Sequence, residues 1–355
     1  MEEIKKLRVE IDGLDQKILS LLNERGRLAS RIGEIKRSKG LMAFSPGRES
    51  EILSKIDELD SSLSRGALRS VYREIISACR RLQEPVEISY LGPEGSFTHQ
   101  AANQSFGSQA DYKPIESIED VFSEVDKGRC DYGVVPIESS LEGMVTRTLD
   151  MFIESSNKIT GEIFLPVSHC LLSNSDIKSI KVILSHPQAI AQCRSWIRRT
   201  LPNAQIREAS STSEAARIAV KEKKSAAIAS SMAASIYRLD ILEENIQDGG
   251  ESYTRFLIIS KNTADKTGRD KTSIMFSIKD RVGALYEILK PLADEGISLT
   301  RIESRPSRKG LWDYYFFVDF EGHEDDPRVK KTLSEVKENC VFLNVLGSYP
   351  RGEQA

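Results

Sequence analysis

The chain has 355 residues, 39% hydrophobic and 29% charged, a globular composition too long for one ordinary core and suited to two or three domains. A formal net charge of -3 excludes a general polyanion partner such as nucleic acid, so any anionic ligand must be met by local arginines and lysines. Five scattered cysteines (Cys79, Cys130, Cys170, Cys193, Cys340) without a Cys-x-x-Cys spacing argue against a disulfide framework and a zinc site, and for a reducing, cytoplasmic setting. No apolar run approaches a membrane span, and Met1-Glu2-Glu3-Ile4 leads straight into a helical pattern, so neither a membrane partner nor a leader peptide is expected.

In residues 1–84, Ile4, Leu7, Ile11, Leu14, Ile18, Leu21, Leu28, Ile32 and Ile35 fall at alternating spacings of three and four, which predicts one long helix. Arg25 occupies the position skipped in this seam, and a charge there needs a carboxylate or an anionic ligand. Lys36 follows eleven residues later, about three turns and 16 Å along the same face, so the two cations can converge on one small dianion. Arg8 lies seventeen residues before Arg25, about 25 Å away and rotated by roughly 100°, and can reach that ligand only from a second protomer. Further helices are expected from about Arg48 to Leu59 and from Ser64 to Gln83.

This segment resembles the all-helical chorismate mutases, matching their motif in order at Arg8, Arg25, Lys36, Arg48, Glu49 and Gln83. The resemblance implies a pericyclic rearrangement of chorismate to prephenate, which needs a fixed near-attack conformer and positive charge at the ether oxygen rather than a nucleophile or metal. It implies that Arg8 of a partner and Arg25 clamp the carboxylates, that Lys36 and Gln83 bond the ether oxygen, and that Arg48 and Glu49 orient the substrate. Ser45 and Cys79 stand where some relatives carry Asp and Ser, and are expected as peripheral contacts.

From Val86 to about Asn262, strand and helix patterns alternate: Ile88–Leu91, a helix from Phe97, a helix over Asp120–Gly128, Tyr132–Ile137, and a helix over Gly143–Glu154. Then come Cys170–Leu172, Val182–Leu184, a helix over Ala189–Thr200, and Ala226–Ala229, a pattern that predicts α/β lobes with ligand in the cleft between them. Short polar residues gather at the strand ends around Ser96, at Glu138-Ser139-Ser140, at Ser185-His186, and at Ser211-Thr212-Ser213. Each could serve a ligand carboxylate or merely cap its own helix. In Tyr253-Thr254-Arg255-Phe256 a hydroxyl and a guanidinium stand at a strand mouth, on opposite faces if the strand is regular.

Together these junctions resemble prephenate dehydratase, whose fold is similar to a two-lobed binding protein. The resemblance implies loss of the ring hydroxyl and carbon dioxide to give phenylpyruvate, with Thr254 as catalytic hydroxyl. It places Ser96, Glu138, Ser139, Ser185, Gln192, Ser211, Thr212, Ser213, Arg255 and Phe256 around the substrate. Glu138, kept protonated by burial, is the expected proton source, and His186 is expected as a turn residue. Arogenate is the alternative substrate.

After a polar linker over Lys261–Asp270, residues 271–350 read strand–helix–strand–strand–helix–strand, a ferredoxin-like order, with the third strand opening at Trp312. Gly283-Ala284-Leu285 and Glu303-Ser304-Arg305-Pro306 resemble the phenylalanine-binding motifs of ACT domains, implying allosteric inhibition by L-phenylalanine and side-by-side pairing. The whole is expected as a three-part enzyme: a helical mutase (1–84), a two-lobed α/β dehydratase (86–262) and a ferredoxin-like α+β ACT domain (271–350), without cofactor, as a homodimer or homotetramer. The competing readings are a helical segment that only dimerises and an amino-acid-sensing binding protein.

Overall fold

The computed structural model describes every residue except Glu251, Asp280, 307–313 and 353–355, so Trp312, the expected start of the third ACT strand, lies outside the described residues. The chain forms two compact units, Met1–Glu87 with Phe106–Asp111, and Ile88–Ser105 with Tyr112–Ala355.

The first unit holds α1 (Glu2–Ser38), α2 (Pro46–Asp57) and α3 (Arg65–Gln83). The buried residues of α1 are Gly26, Ala29 and Gly33, small enough for α3 to come in close. A Cβ on Gly33 would stand 2.6 Å from the Cα of Gln83. Ser64 caps α3 by accepting from the Ala67 N–H, and Arg69 grips Asp57 with two nitrogens, fixing α2 against α3. Ile4, Leu7, Ile11, Leu14, Ile18 and Leu21 are each more than half exposed, an apolar seam left uncovered by the described residues.

The second unit runs β1 (Glu87–Leu91), α4 (Phe97–Phe106), β2 (Asp111–Ile115), α5 (Ile118–Asp126), β3 (Tyr132–Ser139), β4 (Gly143–Met144), α6 (Thr146–Glu154), β5 (Lys158–Pro166) and β6 (Cys170–Ser173). It continues with β7 (Val182–Ser185), α7 (Pro187–Gln192), α8 (Arg194–Thr200), β8 (Gln205–Glu208), α9 (Thr212–Ala219), β9 (Ser225–Ala229), α10 (Ser231–Tyr237), β10 (Asp240–Glu243) and β11 (Tyr253–Ser260). Last come β12 (Asp270–Ser277), α11 (Ala284–Asp294), β13 (Leu299–Pro306), β14 (Tyr314–Glu321), α12 (Pro327–Asn339) and β15 (Phe342–Pro350).

Two α/β lobes carry sheets ordered β2-β1-β3-β11-β5 and β10-β6-β9-β7-β8, joined by crossings at 167–169 and 244–252. Because β11 runs antiparallel to β3, its first residues sit at the same sheet edge as the C-terminal ends of β1 and β3. That edge is where open α/β sheets bind ligands. A third, antiparallel sheet, β13-β14-β12-β15, completes the expected ferredoxin-like order. One of its faces packs Ile274, Phe276, Val318 and Phe320 beneath α11 and α12. The other packs Met275, Phe317, Leu346 and Tyr349 onto Val135, Ile137, Leu257 and Ile259 of the first lobe.

Three local expectations change. The helix expected over Gly143–Glu154 opens instead as the short β4, and α6 starts only at Thr146. The helix expected over Ala189–Thr200 breaks at Cys193, where the Asp248 carboxylate accepts from the N–H groups of Ser195 and Trp196 and caps a new helix. The Lys261–Asp270 linker ends in a fixed turn, since Asp270 accepts from the N–H groups of Thr267 and Gly268 and from the Thr267 hydroxyl.

Candidate active sites

In the helical unit, Arg25, Lys36, Ser45, Arg48, Glu49, Cys79 and Gln83 all line one cavity of about 360 Å³. The eleven-residue spacing on α1 does bring Arg25 and Lys36 to one space. Their reach is set by backbone carbonyls: Arg25 donates to Ile75 O at 3.4 Å and Lys36 to Ala43 O at 2.9 Å. Glu49 pairs with Arg80 at 2.8 Å. Burial pushes the Glu49 carboxyl above its ordinary range, against the opposing pull of Arg80, Lys36 and Arg25. The Gln83 Oε1 atom is buried with no hydrogen-bond partner among the described residues, an amide left for something that enters the cavity. Arg8 does not line it.

Sequence reasoning missed Arg80. It is 4% exposed, lies 4.9 Å from the Phe44 ring centroid and 5.6 Å from that of Phe106, and also lines the cavity. Nothing local marks it, because both aromatic partners are distant in the chain.

At the mouth of β11, the register pairs Thr254 with Ser139 and Leu165, and Arg255 with Glu138 and Phe164. Directly paired residues share a sheet face, so Thr254 and Ser139 stand on one side and Arg255 and Glu138 on the other. The expected opposition of Thr254 and Arg255 is therefore present. The mouth itself is pinned: Tyr253 N–H donates to the Ser140 hydroxyl at 3.0 Å, Ser140 N–H to Tyr253 O at 2.9 Å, and Val167 N–H to Ser252 O at 2.7 Å. Thr254 is half-buried, and its hydroxyl bonds no described residue.

Two expectations at this mouth are corrected. Arg255 does not line the cleft: its guanidinium is buried against Glu162 (2.7 Å), Asp319 (2.7 Å) and Tyr349 (3.0 Å). Glu138 is not buried: its side chain is 41% exposed and pairs at 2.6 Å with Arg301 of β13, on the face away from Thr254. The burial invoked to keep it protonated is missing.

The remaining polar junctions divide. Ser96 accepts from His99 N–H and donates to Leu91 O, and Ser211 accepts from Glu214 N–H, so both cap helices. Ser185 is fully buried and donates to Ile228 O at 2.6 Å, which takes it out of any pocket. Ser213, also fully buried, donates to Glu94 O. Ser230, the cap of α10, donates to Gly95 O at 2.7 Å and Tyr237, at the other end of α10, to Glu94 O at 3.1 Å, so the Gly92–Ser96 turn of one lobe closes on α9 and α10 of the other. Thr212 opens α9, Phe256 is core, and His186 caps α7 as the expected turn residue. Gln192 bonds the ring of His169 at 2.7 Å. His169 stands in the first lobe crossing, burial lowers its pKa, and its Nδ1 has no partner among the described residues.

In the third sheet, Gly283, Ala284 and Leu285 line a cavity of about 280 Å³ with Ile278, Arg281, Tyr314 and Phe316. Gly283 has φ +80, a left-handed turn that only glycine adopts without strain, and it opens α11 toward that space. Glu303, Ser304, Arg305 and Pro306 lie on the edge strand β13 and do not line it; Arg305 grips Asp150 of α6 at 2.9 Å.

Residues 7–84 match chorismate mutase type II, 88–264 match prephenate dehydratase, and 272–338 match the ACT domain. A bifunctional chorismate mutase/prephenate dehydratase of Aquifex aeolicus (strain VF5) is 52% identical over 357 residues, covering 99% of this chain and 99% of that protein. The chain belongs to this bifunctional family. Among solved structures, a prephenate dehydratase from Arthrobacter aurescens in complex with L-Phe is 35% identical with a TM-score of 0.69, covering 75% of this chain and 90% of that one. GqqA, described as a novel type of quorum quenching acylase, is 29% identical with a TM-score of 0.68, covering 74% of this chain and 97% of that one. About three quarters of this chain thus shares its fold with a protein of another name, and a shared fold does not fix the chemistry, which lives in the site residues.

Proposed function

We propose that this chain converts chorismate to prephenate in the helical cavity and prephenate to phenylpyruvate at the Thr254 mouth, under inhibition by L-phenylalanine held at the ACT cavity. The observation that carries the reading is the full-length relative, which spans all three matched parts in the same order. The helical cavity supports it chemically. Arg25, Lys36 and Arg48 offer charge to a dianion, and Lys36 and the side-chain N–H of Gln83, which line the same cavity, would donate to the ether oxygen whose charge grows in the transition state. Arg8 reaches a cavity only from a second subunit, and the uncovered seam from Ile4 to Leu21 supports that pairing. Pairing of ACT domains along the edge strand β13 would bring Ser304 and Pro306, which share a face with the cavity-lining Phe316 and Tyr314, toward a neighbouring effector cavity, and the enzyme would work in the cytoplasm.

In the second step the ring hydroxyl leaves as water, taking a proton, while the carboxylate leaves as carbon dioxide and its electron pair enters the ring. Thr254, with its hydroxyl uncommitted to the described residues, hydrogen-bonds the departing oxygen. The test supplies chorismate alone and follows prephenate and phenylpyruvate with and without L-phenylalanine. Both products are expected, with phenylpyruvate suppressed by the amino acid. Chorismate left untouched while supplied prephenate is consumed would reduce the helices to a dimerisation arm.

A further inference from the structure

Arg255 sits beside the catalytic hydroxyl in sequence yet spends its side chain elsewhere. Its guanidinium meets Glu162 of β5 and Asp319 of β14, each at 2.7 Å, and the Tyr349 hydroxyl of β15 at 3.0 Å. Lys271 of β12 bonds Glu162 at 2.8 Å, while Ser273 bonds both Asp319 (2.5 Å) and Tyr349 (2.7 Å). All are buried, so two cations and two carboxylates balance away from water. Burial works to raise the Asp319 carboxyl, but Arg255 and Ser273 hold it below its ordinary range. Arg255 and Glu162 belong to the dehydratase lobe, and Asp319, Lys271, Ser273 and Tyr349 to the ACT sheet.

The ACT half leads to the effector cavity. Tyr314 and Phe316, which line that cavity, and Asp319 belong to one strand, with Phe316 and Asp319 three residues and about 10 Å apart. The β12 strand repeats the arrangement, with Lys271 and Ser273 in the cluster and Ile278 just past its end in the cavity. The cavity opens on the helix side of the sheet, and the cluster lies on the lobe side. A ligand that shifts β14 or β12 therefore moves Asp319 and Lys271 with them, because a packed strand moves as a body.

We propose that Arg255 is a positioning residue for Thr254, and that Asp319 and Lys271 make its setting depend on the ACT cavity. The proposal deepens the inhibition reading and rests on it: effector at the cavity disturbs the cluster, and the mouth of β11 carries the disturbance one residue on to Thr254.

The experiment uses the full-length chain with Arg255→Lys, Asp319→Asn and the milder Tyr349→Phe, which removes a hydroxyl without leaving a bare charge. For Arg255→Lys and Asp319→Asn, dehydratase kcat is expected to fall about tenfold with KM held within about twofold, the split that misplacement of a reacting group gives. Tyr349→Phe is expected to fall about threefold in the same direction. In each variant, L-phenylalanine measured by calorimetry is expected to bind as in wild type while its effect on the remaining velocity shrinks, and chorismate consumption in the same chain serves as the internal control. Wild-type kcat and wild-type inhibition in Tyr349→Phe and in whichever charge variant folds would overturn the proposal. A rise in KM with kcat unchanged would also overturn it, by making Arg255 a substrate ligand. If L-phenylalanine fails to bind the wild-type chain, the inhibition reading falls, while the kcat against KM split still decides the positioning role.

Discussion

Gly33→Ala tests whether close packing of α1 on α3 places Gln83. A Cβ there would meet the Gln83 Cα at 2.6 Å, its Cβ at 2.9 Å and its carbonyl oxygen at 3.1 Å. Two of those atoms are backbone, so no rotamer change relieves them. Carbon atoms rest about 3.5–4.0 Å apart, so the end of α3 must move by about 1 Å. Overpacking of this kind costs about 1–3 kcal/mol, offset by about 1 kcal/mol from the better helix propensity of alanine. Stability should therefore drop by only about 0–2 kcal/mol. Catalysis should suffer more, because displacing a catalytic group by about 1 Å can cost about a hundredfold. The assay is initial chorismate consumption, with turnover of supplied prephenate in the same preparation as control. A Gly33→Ala chain with wild-type mutase kcat/KM would refute the reasoning.

If Arg8 acts across subunits, Arg8→Ala and Lys36→Ala are each inactive mutases, and mixing them after joint refolding restores about a quarter of wild-type activity; no recovery would place Arg8 outside the partner's site. A Cβ on Gly347 would fall 2.1 Å from the Ile159 carbonyl oxygen, so Gly347→Ala is expected to lower the melting temperature of the larger unit by several degrees, read by calorimetry. Burial depresses the pKa of both His99 and His169. Their folded values lie below the unfolded one, so the stability they contribute is present above about pH 6.5 and is lost as pH falls through the depressed values. Urea midpoints between pH 7.5 and 5 should fall, and His169→Phe should flatten part of that slope.

What the sequence made legible was local. The heptad seam of α1 and the eleven-residue interval from Arg25 to Lys36 needed only helical geometry, and both residues line one cavity. The alternation that sets Thr254 and Arg255 on opposite faces needed only strand geometry. What escaped was long-range. Glu162 lies within LysIle-Thr-Gly-Glu-Ile-Phe, where glycine and a carboxylate break the apolar run that marks a buried strand, so β5 was invisible. Its partner Arg255 is 93 residues away and Asp319 a further 64 from Arg255, distances at which no periodicity speaks. Ser185 and Ser213 misled for a related reason: a serine at a strand end reads the same whether its hydroxyl faces a cleft or a neighbouring backbone carbonyl.

The seating of Gly347 on Ile159 bears on how this enzyme can be taken apart. Backbone meets backbone there, Lys158 donates to Val345 O at 2.5 Å, and Gly352 N–H donates to Glu162 at 2.9 Å, so β15 is moulded to β5 rather than tethered beside it. A graft of the ACT segment onto another enzyme would carry half of a joint and leave the complementary half behind. Exchange between relatives should succeed only when β5 and β11 travel with the ACT sheet, which sets the natural cut of this chain at the helical unit and not at the polar turn before β12.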